Sequence, residues 1–171
     1  MERLSRVDVR YILGSRVFQL LTVVGLVFVF WALSRSRSSF DFQLDPTTAD
    51  LLTFPLNVFE LVICLVTFLY AGWLLQRSRS TGFHELLASN PIHDRTIWGS
   101  YLLTLVKVQA LLLVVLMIGG ISFQLLNGYV QLEIGLWLWR LIVLELPEMM
   151  MWAMVALGVH SRLSRPYLGM L

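Results

Sequence analysis

"LNVFELVICLVTFLYAGWLL", residues 56–75, decides how this chain folds. It holds one charge, Glu60, in a run long enough as a helix to cross the ~30 Å hydrocarbon core of a bilayer. A helix apolar on every side has to be buried, and at this length the medium that buries it is lipid. Three further stretches read the same way, at residues 17–33, 96–126 and 136–159. In the third, the continuously apolar part starts near Val108; the helix begins near Thr96, and Lys107 extends its ammonium toward the polar surface. The whole composition agrees, with 57% hydrophobic and only 14% charged residues among 171. A soluble domain carries about a quarter charged residues. The expected fold is an all-α membrane protein, a single domain over 1–171 with about four transmembrane helices.

Other counts narrow the class. Six Trp and five Tyr suit the headgroup zones, where amphipathic rings collect. A net charge of +2, with no interleaving of basic and aromatic residues, argues against a nucleic-acid partner. The lone cysteine, Cys64, excludes an internal disulfide and reads as a small buried hydrophobe. The first span is read as retained, because its apolar run exceeds the ~7–15 residues of cleaved signals.

Orientation follows the arginines. Arg3, Arg6, Arg10 and Arg16 precede the first span, Arg77, Arg79 and Arg95 lie between the second and third, and Arg162 and Arg165 follow the fourth. The opposite side has Arg35 and Arg37 alone. Both termini are therefore expected in the cytoplasm. Residues 2–15 are expected to form an interfacial helix, because Leu4, Val7 and Tyr11 recur at helical spacing beside a stripe of Arg3, Arg6 and Arg10. Such a helix lies in the membrane plane with its arginines near anionic lipid.

The loop after the second span contains "HELLASNPIH", residues 84–93. His84-Glu85 opens like the zinc-peptidase signature H-E-x-x-H, but its second histidine would have to stand at position 88, which is Ala88. His93 is beyond Pro91, which interrupts any helix joining the two rings. Zinc binding is rejected. Phe83, Leu86 and Leu87 instead share one face of a short helix over about 81–90, started by Ser80 or Thr81 and ended before Pro91. An apolar face on a short segment between basic flanks has two candidate partners, the membrane surface and, more sharply, a groove on another protein.

At these residues the chain resembles the membrane domain of type-2 ABC exporter permeases. It is most similar to the second half of bacterial permeases fused to a C-terminal gluzincin-type aminopeptidase-like domain. The stretches that carry the resemblance are "DVRYILGSRVFQLL" (8–21), "YAGWLLQRSRSTGFHELLASNPI" (70–92), "VQALLLVVLMIGGISFQLLNGY" (108–129) and "LPEMMMWAMVALGVHSRLSRPYLG" (146–169). It departs from the family at Trp73, Ser78 and Tyr101, where the family usually has an acidic residue, a Glu and a lysine. The resemblance implies that residues 81–90 are a coupling helix, with Phe83, Glu85, Leu86, Leu87 and Pro91 meeting an ABC ATPase subunit. It implies as further partners additional permease helices or a second permease half. It also places the chain in a bacterial plasma (inner) membrane, as a fragment or shortened relative.

Four ionisable residues lie inside the spans: Glu60, Arg140, Glu145 and Glu148. Each is costly in hydrocarbon, and such residues mark functional sites or contacts between helices. Glu60 and Arg140 are at matched depth, which makes them an expected pair. Glu145 and Glu148 are expected deeper on one face, with a kink at Pro147 between them. Met149, Met150 and Met151 read as packing residues. The expected function is a permease component of an ABC-type exporter that couples ATP hydrolysis to movement of an unknown substrate. The alternative is a membrane anchor or assembly protein holding a partner or a peptidase-like domain. An enzyme is not expected, since neither a nucleophile–base pair nor a metal-ligand spacing is present, and no cofactor is implied.

Overall fold

A computed structural model of the chain describes residues 2–38, 47–80 and 94–162. They form helices α1 (Glu2–Gly14), α2 (Arg16–Ser38), α3 (Thr48–Leu51), α4 (Phe54–Ser80), α5 (Asp94–Leu126) and α6 (Ile134–Leu138). A π-helical segment (Trp139–Glu145) then continues into α7 (Leu146–Arg162). There is no strand among the described residues. Four helical stretches are long and apolar enough to span a bilayer: Arg16–Ser34, Leu56–Arg77, Thr96–Leu126 and Ile134–Arg162. Their ends fall within about three residues of the expected ones. The coupling-helix stretch, with Phe83, Glu85, Leu86, Leu87 and Pro91, lies outside the described residues.

α4 occupies the centre and packs on α2, α5 and α7. Its inward face is Leu56, Phe59, Ile63, Val66, Tyr70 and Leu74, each buried and spaced by three or four residues. α2 runs antiparallel to it, with Phe18 against Tyr70 at one end and Gly25 against Phe59 and Val62 further along. Polar bridges secure the apolar packing. Gln109 of α5 donates through Nε2 to Thr67 Oγ1 of α4 at 3.0 Å and to the Met149 carbonyl of α7 at 2.9 Å. Near the far end, Gln124 Nε2 donates to Thr48 Oγ1 of α3 at 3.2 Å. With no water to offer bonds inside a bilayer, these crosslinks specify which helices meet. The outward apolar residues, among them Leu20, Val23, Val27, Leu61 and Leu65, are surface suited to lipid.

α1 has three faces rather than the two legible in its sequence. Val7 and Tyr11 are exposed, as an apolar stripe meant for lipid would be, and Arg6 and Arg10 are exposed beside them. The third face, Ser5, Asp8 and Ile12, is buried in the bundle. Asp8 Oδ1 accepts from Arg77 Nη1 at 2.9 Å. Tyr11 stacks on Trp73 with ring centroids 4.8 Å apart, and the Arg77 guanidinium lies 5.4 Å from the Tyr11 centroid and 5.3 Å from that of Trp73. Where α1 turns into α2, Tyr70 donates its hydroxyl proton to Ser15 Oγ at 2.9 Å. α1 is thereby fixed to the end of α4.

The Asp8–Arg77 pair is unequal. Burial raises the Asp8 carboxyl above its ordinary range, and Arg77 pulls it the other way by charge and hydrogen bond. A carboxyl raised on folding contributes its full stability below the ordinary Asp value of about 3.9, and loses it as pH rises through the folded value. At neutral pH the ionised Asp8 is thus a burden that Arg77 offsets. Asp8→Asn should leave thermal stability at pH 7 unchanged or slightly raised. Arg77→Gln should cost about 1–3 kcal/mol, between the ranges for exposed and buried pairs because Arg77 is more than a third exposed. That cost should shrink in melts at pH 5. Equal losses from the two substitutions would contradict this account.

Candidate functional site

The site is built by a defect in the fourth span. Pro147 has no N–H to give to the carbonyl of Val143, and its ring crowds that carbonyl. The helix responds by widening ahead of the proline, and the Leu146 N–H bonds back to the Leu141 carbonyl, five residues away. This replaces the simple kink expected from the sequence. It also re-aims two side chains. In an α-helix, residues five apart point roughly 140° away from one another. Over a π turn, with bonds from i to i+5, the wider turn brings them much closer to one face.

Arg140 and Glu145 are such a pair, and Arg140 Nε lies 3.0 Å from Glu145 Oε1. The contact is an ion pair whose N–H is not aligned as a hydrogen bond. The partner of Arg140 is therefore Glu145 and not the expected Glu60, because the widened turn brings a carboxylate of its own span to the arginine. Glu60 faces Glu145 and Glu148. One carboxylate oxygen from each of the three lies within 4.8 Å of the others. Glu145 is buried, Glu60 half-buried and Glu148 exposed at the bundle's flank.

Like charges so close in a medium of low dielectric repel strongly, and one arginine matches one of them. The remainder is tolerable when protons or a cation balance it. Three carboxylate oxygens at this spacing are of the kind that hard cations take as ligands. His160 is remote from this cluster. It is 12 residues from Glu148, about 18 Å along the helix. Its ring is buried against Phe68 and Gly72 of α4 at the α1 end.

The sequence marked all four residues of this cluster and missed their arrangement. The available signal was Pro147, two residues after Glu145 and seven after Arg140. It missed Asp8 and the Tyr11–Trp73–Arg77 stack altogether. The only trace was one acidic residue inside a basic stripe, four residues before Ile12. Compared with known protein families, curated proteins and solved structures, the chain matches none. Its helices and apolar surface define the class: an all-α, multi-pass membrane protein.

Proposed function

We propose that this chain is the permease component of an ABC-type exporter in a bacterial plasma membrane, with both termini in the cytoplasm. Residues 81–90 would receive the motion of a separate ATPase and pass it to the spans, which move an unknown substrate. The observation that carries this reading is the attachment of α1. It is held to the end of α4 by Asp8–Arg77 and Tyr11–Trp73, and it packs along α5. α4 and α5 are the two helices that frame residues 81–93, so a push on that segment meets a braced pair rather than a free loop. The arginine distribution supports the orientation, and a reporter fused after Ser80 that signals from the outer side would reverse it. Glu148, exposed within the fourth span, supports packing against further permease helices or a second permease half.

Leu86→Asp tests the coupling. An apolar anchor at the centre of an interface is commonly worth ~2 kcal/mol or more, and residues at its rim far less. In tagged chain purified from native membranes, Leu86→Asp should reduce co-purifying ATPase at least tenfold and leave membrane insertion intact. His84→Ala should change neither. An ATPase partner indifferent to Leu86→Asp sinks the reading and leaves the alternative, an anchor that holds a partner or a peptidase-like domain.

A further inference from the structure

The junction of α1 and α2, beside the stack that braces α1 on α4, holds two open clefts. Val7, Arg10 and Tyr11 line an open cleft of about 630 Å³ there. Tyr11 also lines a second cleft, of about 310 Å³, together with Trp73, Gln76 and Arg77. The apolar spans fix their depth, since the first begins at Arg16 and the second ends at Arg77. Both clefts are therefore at the boundary between hydrocarbon and headgroups. Their chemistry is mixed in the manner of that boundary: two aromatic rings, an amide, two guanidinium groups and the exposed side chain of Val7.

The charge balance is positive. Asp8, the acidic group facing this region from α1, is matched by Arg77. Arg10 is exposed and makes no ion pair among the described residues. Below the clefts, Val17 and Leu20 on α2 present exposed apolar surface in the direction of the bilayer interior. A ligand that fits has a phosphate for Arg10, polar ester groups for Gln76 and the ring edges, and an apolar tail to lie along α2. We infer that the paired clefts around Tyr11 hold the headgroup of an anionic phospholipid, with its phosphate on Arg10 and its acyl chain along α2. The stack of Tyr11 on Trp73 makes the site rigid before the lipid arrives, which lowers the cost of ordering it.

The test uses the full chain equilibrated in mixed micelles of equal phosphatidylglycerol and phosphatidylcholine, with retained lipid counted by mass spectrometry after detergent washing. Wild type should retain phosphatidylglycerol in preference to phosphatidylcholine. Arg10→Gln should lower that preference about fivefold, the worth of one basic residue at an anionic surface. Arg6→Gln is the control, because Arg6 lies on the same helix outside both clefts and pairs with Glu2 at 2.6 Å. It should leave the preference intact. Equal losses from Arg6→Gln and Arg10→Gln would mean diffuse attraction and overturn the site. So would equal retention of the two lipids by wild type. Displacement of phosphatidylglycerol by millimolar inorganic phosphate would reassign the clefts to a soluble anion and overturn the lipid assignment.

Discussion

Arg140→Met should destabilise the protein by about 3 kcal/mol, the lower end of the range for breaking a buried ion pair, and Glu145→Gln in the same chain should restore most of that. The asymmetry comes from burial. The Glu145 side chain is 4% exposed and that of Arg140 39%. Removing the arginine strands a carboxylate inside the bundle beside two others. Removing Glu145 strands a long cation that has room to turn its head toward the polar boundary, so Glu145→Gln alone should cost about 1 kcal/mol. The double substitution removes both charges, and apolar or neutral replacement of such pairs is often free of cost. Unfolding by sodium dodecyl sulfate in mixed micelles, followed by circular dichroism, gives the four stabilities. Equal single costs, or strictly additive ones, would separate Arg140 from Glu145. A cycle of Arg140 with Glu60 should show the weaker coupling.

The second large effect is at two neighbouring glycines of α5. A Cβ on Gly120 would stand 2.6 and 2.7 Å from ring atoms of Trp137 and 3.2 Å from Leu51. Trp137 is 1% exposed and has nowhere to move. A Cβ on Gly119 would meet Leu26 at 3.5 Å, an ordinary contact. Gly120→Ala should therefore lose about 2 kcal/mol by overpacking, reduced by the better helix propensity of alanine. Gly119→Ala should be neutral or slightly stabilising, since only the propensity gain remains. The same micelle titration decides it, with Trp137→Leu expected to relieve Gly120→Ala in part. A Gly119→Ala loss as large as that of Gly120→Ala would contradict the packing described.

The number, length and sequence of the spans were legible because lipid imposes a simple rule on composition. Residues 56–75 have one medium that suits them, and their neighbours follow by the same test. The short-range geometry was legible less often. Hydropathy says nothing of a π turn, which exists because of where one proline meets one backbone carbonyl. Matched depth suggested Glu60 for Arg140, but depth is one coordinate and the helix phase is another. The widened turn changed that phase. In α1 the apolar and basic stripes were visible, while the buried face was hidden. Two of its members, Ser5 and Asp8, are polar, and Asp8 takes its meaning from Arg77, about 70 residues away in sequence.

The central place of α4 has a consequence for how the protein is made. Its neighbours do not arrive together. Glu60 enters the membrane with the second span, while Arg140, Glu145 and Glu148 belong to the last one. About 85 residues separate Glu60 from Glu145, which at 5–20 residues per second is roughly 4–17 s of synthesis. Throughout that interval the second span holds an acidic side chain whose eventual companions are not yet synthesised. Its position about one turn from the start of the apolar span keeps the headgroup layer within reach, so the nascent chain can wait. The same carboxylate placed two turns deeper would have to survive those seconds in hydrocarbon.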